Sequence, residues 1–231
     1  MSATAPRITR EESRPLENGD CLAQPEFHRL YSQYPEDRKF ELIRGIVYMA
    51  SPLRRSHALY QIELSLALGL YESQTAGIEL LDNPTIVLGE DSEPQPDLAL
   101  RVLTEYGGRS RVTTEDYIEG PPELIVEISS STRAIDLHQK RADYEQGGVC
   151  EYLVVCVHER ELRWFDSRRR RTIRPDTQGV YRSRVFPGLW LDGPALLERR
   201  RPAVTATVRR GMDSPAHAAF AKRLRRRQSA E

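Results

Sequence analysis

The chain has 231 residues, of which 39% are hydrophobic and 29% are charged, and its 34 Lys and Arg residues balance 34 Asp and Glu residues. This length fits one globular domain with a substantial core plus appendages, because single domains commonly run to about 100–200 residues. The sequence has neither an apolar run of the roughly 18 residues that span a membrane nor the apolar core of a signal peptide, so we expect no membrane partner and a cytoplasmic location.

The N-terminal part of the chain changes near residue 24 from an irregular polar segment to periodic structure. Residues 1–23 are polar, charged and without a hydrophobic period, which predicts a disordered segment. The main domain is expected to cover residues 24–198. A short helix is predicted around residues 26–33, because Pro35 disfavours helical geometry in the residue before it.

A hairpin and a long helix are predicted next. The segment FELIRGIVYMASP at 40–52 has two β-rich stretches on either side of Arg44-Gly45, a pattern typical of a hairpin. Glu41 lies close to this turn. From 57 to 71, apolar residues recur at the spacing of an amphipathic helix. The positions that show this spacing are Leu59, Ile62, Leu66 and Leu70.

Short strands follow the long helix. Strand-like pieces lie at 78–81, 85–88 and 97–102, and a loop rich in Gly and charge covers 104–122. The most apolar strand of the chain, ELIVEIS, comes next at 123–129. These pieces are long enough to form several neighbouring strands of one sheet.

One more helix and three more strands complete the predicted domain. The helix covers about 133–146, between the capping residues at 129–132 and the stop signal Gly147-Gly148. The later strands are predicted at 150–157, 161–166 and near 181–185. This order of strands and helices predicts an α/β fold with a central mixed β-sheet flanked by helices.

The last segment, residues 199–231, is strongly basic, with ten Lys and Arg residues against two acidic residues. It lacks a sustained apolar stripe, so we interpret it as a solvated, disordered basic tail. The alternative is that it provides an electrostatic grip on phosphate groups.

The cysteine pattern argues against a structural zinc site. Cys21, Cys150 and Cys156 form no C-x-x-C pair and have no His partner at zinc-finger spacing. We expect reduced thiols, with Cys150 and Cys156 packed in or beside a strand.

Two carboxylates fall at positions where the predicted strands are otherwise apolar. Asp97 follows Gln95-Pro96 at the start of one strand, and Glu127 interrupts the run LIVEI. If they lie about 4 Å apart on neighbouring strands, their repulsion is on the order of 4 kcal/mol at an effective dielectric of about 20. A hard divalent cation such as Mg²⁺ would offset that repulsion. The alternative is that an arginine pairs with each acid.

Lys140 lies on the predicted inner surface of the helix that follows Glu127. Leu137, Lys140 and Tyr144 follow the spacing of an inward-facing stripe, which would direct the lysine toward the sheet and its carboxylates. Two alternatives stay open for this side chain: a stem that reaches out to solvent, and a salt bridge to Asp136.

Three segments of the chain form a specific combination of motifs. They are EPQPDLAL at 93–100, PPELIVEISSSTRAIDLHQKRADYEQGGVCEYLVV at 121–155 and VFPGLWL at 185–191. This combination resembles the Uma-type, DUF820-like endonuclease family of the PD-(D/E)XK superfamily, and the hairpin segment matches the opening of that family. The resemblance covers roughly residues 24–197. It implies a restriction-endonuclease-like fold.

The resemblance also implies a metal-dependent nuclease site. In that superfamily an Asp and a Glu bind Mg²⁺, and a Lys two residues after the Glu helps to activate the attacking water. Asp97 and Glu127 match the two carboxylates, and the backbone carbonyl of Ile128 is the implied third metal ligand. Ser129 stands where the lysine would be, and Lys140 matches the lysine that members of the family carry on the next helix.

Two further residues enter the implied site. Glu41 matches an additional acidic position of such folds. His57 matches the opening of the family and is a candidate for contact with a substrate phosphate or with Glu41. The alternative for His57 is a residue that simply starts the long helix.

The function implied by the resemblance is a Mg²⁺-dependent endonuclease that hydrolyses DNA phosphodiester bonds. Mn²⁺ is the alternative to Mg²⁺ at the same site. The metal would polarise a phosphoryl oxygen and lower the pKa of a bound water, while Lys140 orients that water or stabilises developing charge. DNA is the expected partner, and a homodimer stays open. The alternative, favoured by Ser129, is a catalytically silent module that binds nucleic acid or protein and retains the nuclease fold.

Overall fold

The structure, a computed structural model, describes residues 14–35, 38–130 and 132–228. Within these residues the helices are α1 (Gln24–Tyr31), α2 (Arg55–Glu72), α3 (Arg141–Gln146), α4 (Gly193–Leu197), α5 (Arg201–Met212) and α6 (Pro215–Gln228). A π-helical segment, Ile135–Lys140, leads directly into α3. None of the helices described here is long and apolar enough to cross a membrane.

The strands of the described residues are β1 (Phe40–Ile43), β2 (Ile46–Met49), β3 (Ile78–Asp82), β4 (Ile86–Val87), β5 (Leu98–Val102), β6 (Arg111–Val112), β7 (Ile118–Glu119), β8 (Leu124–Ser129), β9 (Glu151–Cys156), β10 (Glu161–Asp166), β11 (Arg171–Ile173), β12 (Val180–Arg182) and β13 (Trp190–Asp192). The central sheet has the order β11-β10-β9-β8-β5-β3, with β8 and β9 parallel and the other neighbours antiparallel. The predicted α/β fold with a central mixed sheet flanked by helices is confirmed.

The two faces of the central sheet pack against different helices. Val126 of β8 belongs to the core that includes Leu64 of α2, whereas Ile125 belongs to the core that includes Tyr144 of α3. Successive side chains of a strand point to opposite faces, so Glu127 shares the face of Ile125 and Tyr144. A carboxylate is thereby directed toward the helix that carries the predicted lysine.

The hairpin expected from the sequence is present. Ile43 pairs with Ile46 around the two-residue turn Arg44-Gly45, and both turn residues have positive φ (51° and 75°). Two such residues in succession are typical of the tight turn whose twist matches that of antiparallel strands. Leu42 and Glu93 then exchange backbone hydrogen bonds of 3.1 and 2.8 Å, which ties the hairpin to the segment that precedes β5.

The long helix is present as α2, but the apolar face indicated by the sequence is not its buried face. Ile62 and Leu66 are 55% and 41% exposed. The side chains that α2 buries are Tyr60, Leu64, Ala67, Leu68 and Tyr71, together with the polar His57 and Glu63. Apolar residues lie on both sides of this helix, and the polar residues on the buried side have partners elsewhere in the fold, which the sequence does not display.

The predicted helix over 133–146 is wider in its first half than an α-helix. Ile135–Lys140 is π-helical and only Arg141–Gln146 is a regular α-helix. Short π-helical insertions occur frequently at functional sites. The predicted loop over 104–122 also differs, because it contains β6 and β7, which form a small sheet with β4.

The interpretation of residues 199–231 as a solvated tail is wrong for the part that the structure describes. Residues 201–212 and 215–228 form α5 and α6, whose apolar side chains enter the core shared with α2. These side chains are Val204, Val208, Phe220 and Leu224. Their stripes are short and lie among many arginines, so the high charge concealed a helical period.

The N-terminal prediction is also wrong in part. Residues 1–13 lie outside the described residues, but residues 14–23 run beside β2. The Gly19 N–H donates to the Val47 carbonyl at 2.8 Å, and the Leu22 N–H donates to the Gly45 carbonyl at 2.8 Å. Leu16 is buried. Cys150 and Cys156 are buried free thiols, as expected, whereas Cys21 is exposed.

Candidate active site

The two carboxylates selected from the sequence face each other across neighbouring strands. Leu98, at the start of β5, pairs with Val126 of the antiparallel β8. One residue further along this register, Asp97 lies opposite Glu127, and residues in such positions have Cβ atoms about 4.5–5.5 Å apart. Asp97 is 8% exposed and Glu127 is 5% exposed, so both acids lie almost entirely inside the protein.

All residues proposed for the site line one cavity of about 490 Å³ at this edge of the sheet. They are Glu41, His57, Asp97, Glu127, Ile128 and Lys140. Three basic residues, Arg38, Lys39 and Arg54, also contribute to its wall. The fold therefore collects the selected residues from the hairpin, α2, two neighbouring strands and the π-helical segment.

Lys140 contacts two of these acids. Its Nζ donates to Glu41 Oε1 at 2.8 Å and to Glu127 Oε1 at 2.9 Å. Its side chain is 7% exposed, which excludes the solvent-reaching alternative. The carboxylates paired with it are not that of Asp136, the other alternative. Tyr144, one turn further along the helix, donates its hydroxyl to Glu127 Oε1 at 2.8 Å.

Asp97 is held by a backbone group and a histidine. The Ile128 N–H donates to Asp97 Oδ2 at 2.6 Å, and His57 Nε2 lies 3.0 Å from Asp97 Oδ1. The partner of His57 is thus Asp97 and not Glu41. Its other ring nitrogen, Nδ1, is buried without a hydrogen-bond partner among the described residues. Among the described residues no arginine pairs with Asp97 or Glu127, which was the alternative for these acids; their ion pairs involve His57 and Lys140.

Glu41 is positioned by the hairpin and the segment before β5. The Gln95 N–H donates to Glu41 Oε1, the oxygen that also accepts from Lys140, at 2.8 Å. The Gln95 side-chain amide donates to Tyr31 and Thr85, which anchors this segment between α1 and β4. Glu41 is thereby held in contact with the same lysine ammonium that contacts Glu127.

Negative charge exceeds positive charge in the buried part of the site. Burial raises the pKa of Glu127 well above its ordinary value, although the Lys140 ammonium acts to lower it. Repulsion from Asp97, Asp136 and Glu41 adds to the increase. Burial alone would lower the pKa of Lys140, but attraction to Glu127 and Glu41 outweighs burial and raises it well above its ordinary value. The Lys140 ammonium thus pairs with Glu41 and Glu127, while Asp97 and Asp136 add negative charge nearby.

Asp136 belongs to the site although the sequence presented it only as an alternative partner for Lys140. It is 2% exposed, lines the cavity and accepts a 2.6 Å hydrogen bond from Thr132 Oγ1. Burial raises its pKa. The signal that could have identified it is its position four residues before Lys140, on the same side of the helix.

Ser129, at the lysine position of the superfamily, is buried at the end of β8. It shares the face of Glu127, because the two residues are separated by one strand repeat. The ammonium that contacts Glu127 belongs instead to Lys140, which approaches from the helix that covers this face. The structure therefore places a lysine beside the Glu even though the strand does not provide one.

The oxygen donors at this edge of the sheet fit a hard divalent cation. Asp97 and Glu127 offer carboxylates, and the Ile128 carbonyl faces the same edge as the Ile128 N–H that contacts Asp97, since both groups of a strand residue point to one side. No three His, Cys, Asp or Glu side chains within residues 14–35, 38–130 and 132–228 form a cluster that could hold a metal ion. Two carboxylates, one carbonyl and water are the ligand pattern typical of Mg²⁺.

Comparison with known proteins assigns the chain to a family. Residues 24–194 match the Uma2 family, described as "Putative restriction endonuclease". The structure is similar to that of "a putative nuclease belonging to DUF820" from Anabaena variabilis, with 13% sequence identity and a TM-score of 0.53, over 78% of this chain and 97% of that chain. At such a low sequence identity, the structural similarity shows a shared fold and nothing more. No curated protein matches the chain. Since the family match spans most of the sequence, the chain belongs to the Uma2 family and has a nuclease-type fold.

Proposed function

We propose that the protein is an endonuclease that hydrolyses DNA phosphodiester bonds with the help of Mg²⁺ or Mn²⁺. The observation that carries this proposal is the opposed pair Asp97 and Glu127, with the Lys140 ammonium 2.9 Å from Glu127. Membership in the Uma2 family, described as "Putative restriction endonuclease", supports it. Two acids that hold a cation and a lysine that stabilises negative charge are the groups that such hydrolysis requires.

The cation would be held by Asp97, Glu127 and the Ile128 carbonyl. When bound, it supplies Lewis-acid catalysis, because it polarises a phosphoryl oxygen and lowers the pKa of a water molecule. The Ile128 N–H keeps one oxygen of Asp97 directed toward the strand, and His57 contacts the other. These contacts restrict the Asp97 side chain to the orientation in which it faces Glu127.

Lys140 would stabilise the charge that develops on the phosphate. A lysine ammonium has three N–H donors, and the hydrogen bonds to Glu41 and Glu127 use two of them. The third can donate to a phosphoryl oxygen or to the attacking water. Glu41 acts as a positioning residue, because it contacts the lysine and not the reacting atoms. The buried environment makes this electrostatic contribution larger than it would be in water.

DNA is the partner that the basic wall of the cavity favours. Arg38, Lys39 and Arg54 line the same cavity as the carboxylates, and their charges can offset the phosphates on either side of the bond that is cut. The exposed arginines of α5 and α6 add to this attraction without reading sequence, because phosphate contacts position a protein on DNA and do not specify bases.

The test of this proposal is plasmid nicking combined with calorimetry. The protein should nick supercoiled plasmid with Mg²⁺ or Mn²⁺ and should not do so in EDTA, and calorimetry should detect binding of either cation. The Asp97→Ala variant should lose both properties. Nicking that continues unchanged in EDTA, or that survives in Asp97→Ala, would contradict the proposed site.

A second candidate function rests on the present partners of the acids. Asp97 and Glu127 already accept hydrogen bonds from Ile128, Lys140 and Tyr144, so the site is stable as an internal network. A catalytically silent module that binds nucleic acid through the basic wall is compatible with that network. DNA binding without cation binding and without cleavage in the same assays would favour this function over the nuclease.

A further inference from the structure

A second cavity, of about 370 Å³, lies beside the first turn of α2. Three arginines line it: Arg55, Arg160 and Arg199. They come from different parts of the chain, since Arg55 is the first residue of α2, Arg160 precedes β10 and Arg199 follows α4. The remaining wall includes Ser56 and Tyr60. We call this cavity, with its three arginines, the arginine cavity.

The fold brings these arginines to the edge of the sheet that also carries the candidate active site. β8 and β9 are parallel, so Ser129 at the end of β8 lies beside Cys156 at the end of β9. Arg160 is in the turn that follows β9. The Tyr60 hydroxyl donates to the Leu197 carbonyl at 2.9 Å, which fastens the end of α4 to α2 and places Arg199 near the helix start.

The start of α2 separates the two cavities. Arg54 lines the cavity of the acids, whereas Arg55 lines the arginine cavity, and His57 in the same turn contacts Asp97. One helical turn is about 5.4 Å long, so the two cavities are near enough to contact phosphates close together on one strand. The N-cap residue of α2 makes no side-chain capping hydrogen bond, and the positive end of the helix points to this region.

The three guanidinium groups of the arginine cavity are not paired with acids in the described part of the chain. No salt bridge there involves any of its three arginines. Glu198 also lines the cavity, but its carboxylate accepts from Arg200 at 2.7 Å. An anion bound in this cavity would offset the charge of these arginines.

Two of these arginines lie in tight turns of the backbone. Arg160 and Arg199 both have φ of 54°, in the left-handed region that residues other than glycine rarely adopt. Glycine or asparagine would suit such positions better. The turn between β9 and β10 accounts for this conformation at Arg160, and the end of α4 accounts for it at Arg199. The structure thus has an arginine at two positions where the backbone alone would favour another residue.

We propose that the arginine cavity binds a backbone phosphate of the DNA strand, one or two nucleotides from the phosphate that faces Asp97 and Glu127. The planar guanidinium groups match the oxygens of a phosphate diester and pair with them at two points. This inference rests on the proposed function for the identity of the substrate. It adds a site that fixes the register of the strand on the protein.

The experiment is DNA binding by fluorescence anisotropy in EDTA, over a range of salt concentrations, with the full chain. The test variant is Arg55→Gln, Arg160→Gln and Arg199→Gln together. The matched control, Arg168→Gln, Arg169→Gln and Arg170→Gln, removes the same charge and includes Arg170, which also has a positive φ (48°). These control residues follow β10. The last residue of β10, Asp166, pairs with Glu151 at the start of β9, so the control residues lie at the other end of the strands from the arginine cavity.

We expect the test variant to bind DNA at least tenfold more weakly and to show a salt dependence less steep by about one to three units, because each lost phosphate contact reduces the slope by about 0.9. The control variant should retain the wild-type slope. Equal losses in both variants, or an unchanged slope in the test variant, would overturn the inference. Circular dichroism checks that the variants are folded. If the triple variant unfolds, the test is repeated with Arg160→Gln alone, for which we expect the salt-dependence slope to change by about one unit.

Two further measurements separate the source of the phosphate and the dependence on the proposed function. Calorimetry with inorganic phosphate tests for a free-anion site. Strong phosphate binding that the test variant loses while its DNA binding stays unchanged would overturn the assignment to DNA. Loss of DNA binding in the test variant, in a protein that never cuts DNA with Mg²⁺ or Mn²⁺, would leave this inference standing and refute the proposed nuclease.

Discussion

Burial raises the pKa values of two glutamates on the parallel strands of the sheet, but the groups around the two carboxylates differ. Glu151 opens β9 and accepts from the Trp164 indole at 3.0 Å, the Ser183 hydroxyl at 2.8 Å and two backbone N–H groups at 2.7 and 3.1 Å. Burial raises its pKa to about 7, against the lowering effect of these donors. Glu127 lies near the opposite end of β8 and is surrounded by charged groups.

The comparison shows that a raised pKa does not by itself identify a functional acid. The Glu151 carboxylate is enclosed by uncharged donors that fasten the segment before β13 to the sheet, which is a structural task. Glu127 lines a cavity, contacts an ammonium and faces a second carboxylate across the register. The functional case is therefore distinguished by the charge and accessibility of the neighbours, and not by the size of the shift.

The largest effect is expected from removing an acid of the active-site pair. Asp97→Ala should abolish both cation binding and DNA cleavage, because the variant loses a carboxylate ligand that Glu127 cannot replace. Calorimetry with Mg²⁺ and plasmid nicking measure the two properties. If the variant binds the cation as the wild type does, the pair is another structural network like that of Glu151.

Glu151, the acid with a structural role, should affect how the free energy of unfolding depends on pH. Since the pKa of Glu151 in the folded protein is about 7, above the ordinary 4.5, its contribution is fully present below pH of about 4.5 and is lost as the pH rises to about 7. The loss is on the order of 3 kcal/mol at about 1.36 kcal/mol per pKa unit. In Glu151→Gln that part of the pH dependence should disappear.

Urea unfolding of the wild type and of Glu151→Gln between pH 4.5 and 8 tests this prediction. The relevant quantity is the change in the free energy of unfolding with pH, because the amide also alters the hydrogen bonds to Trp164 and Ser183. Parallel pH profiles for the two proteins would show that Glu151 does not titrate in this range. DNA cleavage at a fixed pH should be unaffected at temperatures where both proteins are folded.

Lys140→Ala should slow cleavage about 10²-fold or more, the scale of a lost electrostatic donor. Tyr144→Phe is the matched variant, because it removes a neutral donor to the same Glu127 oxygen and leaves the ammonium in place. We expect it to lose less than about tenfold, since hydrogen bonds from charged donors are roughly twice as strong. Single-turnover nicking rates compare the two. Should Lys140→Ala cut DNA at the parental rate while Asp97→Ala is inactive, the lysine has only a structural role.

A smaller effect is expected from moving the lysine to the strand. Ser129→Lys combined with Lys140→Ala returns an ammonium to the face of Glu127, from the sheet instead of the helix. We expect this double variant to cut DNA about tenfold faster than Lys140→Ala, or roughly 1.4 kcal/mol in the barrier. Rates equal to that of Lys140→Ala, in a variant with wild-type circular dichroism, would show that the helix position itself is required.

The sequence predicted the elements of this site better than their surroundings. Asp97 and Glu127 could be selected because a carboxylate in an apolar strand is conspicuous, and Lys140 because it interrupts a helical stripe. Asp136 was recognised only as an alternative partner of that lysine, since its burial depends on the wider π-helical turns. The contact between His57 and Asp97 joins α2 to the start of β5, and no local pattern indicates such a pairing.

The errors in the fold have a common cause. Ile62 and Leu66 suggested a buried face for α2, and the arginines of residues 199–228 suggested a solvated tail. Both interpretations fail because the buried face of α2 packs against the sheet and against α5, which supplies Val204 and Val208. A period measured within one segment cannot show which of two apolar faces another segment covers.

Helix α2 connects the candidate active site with the C-terminal helices. His57 in its first turn contacts Asp97, Glu63 in its middle accepts a bidentate pair from Arg201 of α5, and Thr75 just beyond its end contacts His217 of α6. Because of these contacts, we expect the two terminal helices and the candidate site to unfold together. We expect deletion of the residues after Glu198 to expose the core and destabilise the fold, so the contribution of the basic helices to DNA affinity is better tested by changes to their outer charges.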